Sequence, residues 1–178
     1  HLVQVEPPSL HHPIDDGSNL LNALAVAGVA PVEIDYRAAQ DLPGALRSGD
    51  WHVAASLRGN ELMAVRRAAG APPPLGRAVD MGTTNIASYL YSLADGSLLG
   101  VFGAANPLST YGADIISRLS YSGRSPANGT QLQRVLVKGL NLLIEQSVTA
   151  AGYAPQDVEE LVVVGNSGMH HLFLNFPP

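Results

Sequence analysis

The 178-residue sequence contains no cysteine, which excludes a disulfide, a thiolate metal ligand and a thiol nucleophile within it. Its ten Lys and Arg residues are scattered, with no basic run longer than Arg66-Arg67, and the net charge is −5. Nucleic acid is therefore not expected as a partner, because phosphate backbones are bound by clustered basic side chains. No apolar run approaches the roughly 20 residues of a membrane span, and no secretory leader opens the sequence. These absences predict a cytoplasmic protein or fragment without a membrane partner.

Hydrophobic residues make up 46% of the chain, enough to fill a core, and their pattern predicts an α/β protein in two parts. The boundary is expected in the tract AAGAPPPLG at 68–76, where three prolines and two glycines interrupt all periodicity. The predicted organisation has three segments: an extended, proline-containing linker at 1–17, a small α/β domain at 18–70 and a second domain at 71–178.

In the small domain, Ser18 is expected to cap a helix over 19–27, followed by a strand over 29–34 and a helix ending at Gly49. A hairpin is predicted around Arg58-Gly59-Asn60. The second domain is expected to run β-β-β-α-α-β-α. Its strands are predicted at 77–80, 85–93, 97–103 and 161–164, and its helices at 111–121, at 131–151 and from Met169 onward.

Asp80, Gly82, Thr83 and Thr84 lie between the first two predicted strands of this second domain. A glycine gives a phosphate access to backbone N–H donors, two threonines add hydroxyl groups, and a carboxylate holds the water ligands of Mg²⁺. The pattern therefore predicts a phosphate site, with Asp80 as the Mg²⁺ residue acting through water. The alternative is an ordinary hairpin turn, in which Asp and Gly are common. No G-x-x-x-x-G-K-S/T motif is present, which excludes a P-loop.

Asn166, Ser167 and Gly168 follow a strand apolar enough to be buried, at the position where α/β folds place ligand-facing loops. We predict that they face the same ligand; the alternative is that they only cap a helix. Asp114 and Arg118 are four residues apart, the spacing of an i, i+4 ion pair on a helix. A second interpretation places their segment, which begins at Asn106-Pro107, along a nucleotide cleft near Asp80.

Several tracts of the chain resemble a known family. The tract AVDMGTTNIASYLYSLADGSLLG is similar to the first phosphate motif and opening hairpins of the actin, sugar-kinase and Hsp70 ATPase superfamily. NPLSTYGADIISRLSYS and GNSGMHHLFL resemble one branch of it, the reductive activators of corrinoid proteins, and PPSLHHPIDDGSNLLNAL and DLPGALRSGDWHVAASL are similar to the linker and middle domain of that branch. The resemblance implies a small α/β middle domain followed by the first subdomain of a ribonuclease H-like, actin-like ATPase fold.

The resemblance further implies an ATP-dependent protein that returns cob(II)alamin to cob(I)alamin in a corrinoid protein or corrinoid methyltransferase. Asp80, Gly82, Thr83 and Thr84 would contact the β- and γ-phosphates and Mg²⁺, with Asn166, Ser167 and Gly168 near the cleft. Many relatives carry Thr where this chain has Ser167. Electrons would come from a 2Fe–2S ferredoxin-like domain. This chain has no cysteine to bind such a cluster, and the resemblance implies that the domain lies upstream of His1. A second phosphate motif and an adenosine motif are not found, so residues 1–178 alone are expected to bind ATP weakly or not at all.

Two other functions fit the residues. One is a small-molecule kinase of the same superfamily, which would need a carboxylate base where this chain has Asn166 and Ser167. The other is a non-catalytic docking module, in which residues 18–68 bind a partner or form a homodimer.

Overall fold

The computed structural model describes residues 1–11, 13–29 and 33–177, and it divides the chain into two compact units. The first unit is His1–Pro72 and the second is Pro73–Pro178. The division falls inside the proline-rich tract at 68–76. Among the described residues, no helix combines the length and the apolar character that crossing a membrane requires.

The first unit is a four-stranded sheet with two helices, in the strand order β1-β3-β4-β2. Strands β3 and β4 form the predicted hairpin, while β1 pairs antiparallel with β3 and β2 pairs parallel with β4. Its elements are β1 Leu2–Gln4, α1 Asp16–Val26, β2 Glu33–Ile34, α2 Tyr36–Ser48, β3 His52–Arg58 and β4 Glu61–Arg67.

The start of the chain corrects the linker predicted for 1–17. Strand β1 pairs with β3, and Val3 and Val5 are buried in the core of the first unit. Their alternation with the exposed Leu2 and Gln4 is the two-residue period of a strand. The prolines that suggested a linker follow this strand and do not extend into it.

Helix α1 begins earlier than predicted, because its N-cap is Asp15 and not Ser18. The Asp15 carboxylate accepts hydrogen bonds from the backbone N–H of Ser18 at 2.9 Å and from its hydroxyl at 2.7 Å. The strand predicted at 29–34 is described only in part, as Glu33–Ile34, since residues 30–32 lie outside the described residues.

The second unit is a four-stranded sheet in the order β7-β6-β5-β8, and the predicted β-β-β-α-α-β-α order and α/β fold class are confirmed. A three-residue 3₁₀ turn also precedes β8. The elements are β5 Leu75–Met81, β6 Asn85–Ser92, β7 Leu98–Ala105, a 3₁₀ helix Pro107–Tyr111, α3 Ile115–Ser122, α4 Pro126–Ala150, β8 Val158–Gly165 and α5 Ser167–Leu174.

The helix predicted at 111–121 is two elements. Tyr111 ends the 3₁₀ helix, and α3 begins only at Ile115, because Asp114 is its N-cap. Helix α4 starts five residues before the predicted boundary, with Ser125 as N-cap and Pro126 in the first turn, where a missing N–H costs nothing.

Helix α4 covers one face of the sheet with a stripe of buried leucines at helical spacing. They pack with Val79 and Met81 of β5, which alternate with the exposed Asp80 on the opposite face. Each buried leucine contributes about 1.5–3 kcal/mol, so this stripe holds β5 in place. The stripe consists of Leu132, Leu136, Leu140 and Leu143.

Strand β5 pairs parallel with β8, with Asp80 opposite Val164 and Met81 opposite Gly165. Parallel neighbours end at the same edge of a sheet. The segment after Met81 and the segment after Gly165 therefore leave the sheet side by side.

Candidate functional site

The two predicted site segments meet at this edge. The Nδ2 group of Asn166 donates a hydrogen bond to the Thr83 hydroxyl at 3.2 Å, across 83 residues of sequence. The parallel pairing of β5 with β8 produces this contact, because both segments begin where their strands end.

Asp80 is exposed, on the sheet face opposite α4. No group of three or more His, Asp or Glu side chains within the described residues could bind a metal ion directly. A single exposed carboxylate holds a hydrated cation through its water molecules more readily than it holds a bare one. The geometry thus fits the role predicted for Asp80, which remains a prediction.

The turn formed by residues 82–84 requires glycine at its first position. A Cβ atom at residue 82 would lie 2.4 Å from the carbonyl oxygen of Asn85, closer than real Cβ contacts. The glycine is therefore needed to close the turn, whatever the turn binds. Thr83 is half-buried and Thr84 is exposed.

The carbonyl groups of this turn are all bound by two buried residues. Asn106 donates from Nδ2 to the Gly82 oxygen and from its backbone N–H to the Thr84 oxygen, both at 2.8 Å. Arg118 donates from Nη1 to the Thr83 oxygen at 2.7 Å. The exposed fractions of Asn106 and Arg118 are 0% and 1%.

Asp114 and Arg118 make contacts that the i, i+4 ion-pair interpretation does not describe. The Asp114 carboxylate accepts hydrogen bonds from the Ser117 N–H at 2.8 Å and its hydroxyl at 3.0 Å. These two hydrogen bonds, of which the backbone bond has the larger effect, lower the pKa of Asp114. The Arg118 Nε group donates to the Gly112 carbonyl at 2.9 Å, and burial lowers the pKa of Arg118 against the opposing effect of the Asp114 charge. Arg118 thus lies beneath the turn that follows Asp80. The place of this segment along a nucleotide cleft remains a prediction.

Asn166 caps a helix, as one of the two interpretations predicted, and it also contacts Thr83, while the prediction that it faces a ligand remains a prediction. Its Oδ1 atom accepts a hydrogen bond from the Met169 N–H at 2.9 Å and caps α5, while its Nδ2 group contacts Thr83. Ser167 is exposed at the first position of α5. Gly168 has a packing role, because a Cβ atom there would lie 2.4 Å from Cγ1 of Ile115 in α3.

The backbone N–H groups of Thr83 and Thr84 have no hydrogen-bond acceptor within residues 1–11, 13–29 and 33–177. Two free amides, a threonine hydroxyl and a nearby carboxylate are the groups that bind a phosphate carrying a cation. The sequence placed the segment that begins at Asn106 near Asp80 but did not predict the contacts of Asn106 with this turn. The Asn-Pro pair before the 3₁₀ helix was their only signal.

Comparison with known proteins covers almost the whole chain. The family model described as the RACo middle region matches residues 75–178, and the one described as the RACo linker region matches residues 1–69. The Corrinoid activation enzyme RamQ of Eubacterium limosum is 35% identical over 106 residues, which are 60% of this chain and 18% of that protein. A solved structure described as a reductive activator for corrinoid, iron-sulfur protein aligns with a TM-score of 0.75 and 28% identity. That alignment covers 100% of this chain and 29% of the solved chain, so the chain spans less than a third of either relative.

Proposed function

Because the chain belongs to the RACo family, of which it carries the linker and middle regions, we propose that it is part of an ATP-dependent reductive activator of corrinoid proteins. The names of two relatives support this proposal, since one is a corrinoid activation enzyme and the other a reductive activator for a corrinoid, iron-sulfur protein. In the proposed reaction, one electron would pass from the reduced 2Fe–2S cluster of the activator to cob(II)alamin, which would yield cob(I)alamin and the oxidised cluster. The proposed partner is a corrinoid protein or corrinoid methyltransferase, and the proposed location is the cytoplasm.

The nucleotide site is proposed at the edge where β5 and β8 end. The observation that carries it is the contact of Asn166 with Thr83, beside two amides without acceptors. The N–H groups of Thr83 and Thr84 would donate to phosphate oxygens, and the Thr83 hydroxyl would be oriented by Asn166. Asp80 would hold the water ligands of Mg²⁺, which neutralises phosphate charge when bound. Ser167 lies exposed beside this edge and would face the same ligand.

Residues 1–178 contain no thiolate ligand for the 2Fe–2S cluster of the proposed activator, because they include no cysteine. We therefore assign to these residues a part in nucleotide binding and none in holding the cluster. Binding would be coupled to electron transfer elsewhere in the polypeptide.

A titration of the natural-length polypeptide with ATP tests the nucleotide site. Asp80→Asn is expected to weaken binding of MgATP by about tenfold, the effect of losing one charged hydrogen-bonding group, and to change ATP affinity little when EDTA removes the metal. Asp95→Asn is the matched control, since Asp95 is an exposed hairpin carboxylate that bonds only to its own turn in the structure described. Equal MgATP affinity of the two variants would contradict the role of Asp80. Residues 1–178 alone are expected to bind ATP weakly, so micromolar affinity for this chain would contradict that part of the proposal.

A further inference from the structure

We propose that Asn106 and Arg118 are positioning residues that aim the amides of Thr83 and Thr84 at the phosphate groups of the nucleotide. The identity of the ligand in this inference rests on the proposed function, whereas the orientation of the two amides rests on the geometry of the turn. Neither side chain is exposed enough to touch a ligand directly, so both would act through the backbone.

The direction of the amides follows from the direction of the carbonyls. The peptide bonds of the turn are trans, and a trans peptide holds its C=O and N–H groups on opposite sides. Asn106 binds the Gly82 oxygen and Arg118 binds the Thr83 oxygen from the interior. The N–H groups of Thr83 and Thr84, which belong to the same two peptides, must then point away from the interior.

Arg118 also makes the turn a better anion site. A buried arginine is costly unless its charge is compensated, and the described hydrogen bonds of its guanidinium go to two carbonyl oxygens, those of Thr83 and Gly112. A cation bound to the Thr83 oxygen polarises that peptide and strengthens the adjoining N–H as a donor. The buried positive charge of Arg118 therefore strengthens an N–H group that would donate to an anionic ligand.

Asn106 is held rigidly enough to fix the turn. Its Oδ1 atom accepts a hydrogen bond from the Leu108 N–H at 2.9 Å, which locks the side-chain amide so that Nδ2 faces the Gly82 oxygen. The same Nδ2 group lies 3.7 Å from the Met169 sulfur in α5. The residue thereby connects the turn after β5 with the helix after β8.

The first experiment needs no nucleotide. In the chain of residues 1–178, ¹⁵N relaxation is expected to give order parameters of about 0.85 for the Thr83 and Thr84 amides, falling below about 0.6 in Asn106→Asp and Arg118→Met. Asn106→Asp keeps the acceptor for Leu108 but replaces the Nδ2 donor by a carboxylate oxygen, and it therefore adds a negative charge that its control must also add. Asn128→Asp is its control, because the Asn128 Nδ2 group likewise donates to a backbone carbonyl, that of Tyr121 at 3.0 Å. Unchanged order parameters in both folded variants would overturn the inference.

The second experiment uses the natural-length polypeptide and compares MgATP with adenosine as probes. Asn106→Asp and Arg118→Met are expected to weaken MgATP binding about tenfold or more while adenosine binding stays unchanged, since the turn contacts only phosphate. Arg118→Lys keeps a charged donor and should recover part of the loss. A merely structural role would weaken both probes equally and would overturn the inference. If the wild type binds no ATP, the proposed function is wrong, and so is the phosphate ligand assigned to the turn. The relaxation data then still decide whether the two residues orient the turn.

Discussion

Replacing Gly82 by alanine is expected to destabilise the second unit by about 1–3 kcal/mol, the usual cost of forcing an extra methyl group into a filled space. The added Cβ would lie 2.4 Å from the Asn85 oxygen, where real contacts are at least 3.0 Å, so these atoms must separate by at least 0.6 Å. The neighbour is backbone and cannot rotate away. The hydrogen bond of 2.8 Å from Asn106 to the Gly82 oxygen would be strained by the same movement.

Gly103→Ala is the matched control for this prediction. Gly103 lies in β7 of the same unit, and a Cβ there would meet only the Ile86 oxygen at 3.5 Å, an ordinary contact. Alanine is expected to leave that strand unchanged or to stabilise it by about 0.5–1 kcal/mol, because glycine loses more backbone entropy on folding. Urea unfolding followed by circular dichroism measures both variants. The reasoning is refuted if Gly82→Ala is as stable as Gly103→Ala.

Three further predictions concern the buried Arg77, the Asp114 carboxylate and the boundary between the two units. The Arg77 guanidinium is 2% exposed and donates to Ser88 and Ser147, and its Nε atom has no hydrogen-bond partner among the described residues. Arg77→Met should therefore be more stable in urea than Arg77→Lys by about 1 kcal/mol or more, since lysine keeps the buried charge without the guanidinium fork. The reverse order would contradict this prediction. The pKa of Asp114 is lowered below its ordinary value of 3.8 in the folded chain, so its contribution to stability is present above that pH and lost as pH falls through the lower value. Asp114→Asn keeps a good N-cap and should match the wild type at neutral pH while losing this acid sensitivity, which unfolding curves from pH 2 to pH 7 would measure. Limited elastase digestion is expected to cut within 68–76 and release two folded pieces, and cuts spread through both units would argue against the boundary.

The sequence was sufficient to predict the order of elements in the second unit and the family resemblance, and both are confirmed. Periodicity revealed α4 because its leucines recur at helical spacing over many turns. Helix ends were less accurate. The starts of α1 and α3 depend on the capping contacts of Asp15 and Asp114. The sequence alone does not distinguish an aspartate that caps a helix from one that forms an ion pair or faces solvent.

Only those residues of the candidate site that are at least partly exposed could be predicted from the sequence. Asp80, Thr83 and Thr84 form a recognisable local pattern, and Asn166 follows an apolar strand, but their proximity depends on which strands are neighbours. The contacts of Asn106 and Arg118 with the turn are long-range contacts of buried side chains, which no local spacing encodes. The need for glycine at position 168 was likewise not predictable, because it arises from close packing against the side chain of Ile115 in another helix.

The parallel pairing of β5 with β8 has a consequence for the order of events in folding. The two halves of the edge come from positions 83 residues apart, and the β6–β7 hairpin, α3 and the 25-residue α4 all lie between them. Parallel strands so distant in sequence pair late, because closing a long loop costs entropy before any contact rewards it. An Asn166 side chain bound to Thr83 therefore indicates that the whole unit has folded. An incompletely folded chain would lack the edge at which we propose that a nucleotide binds.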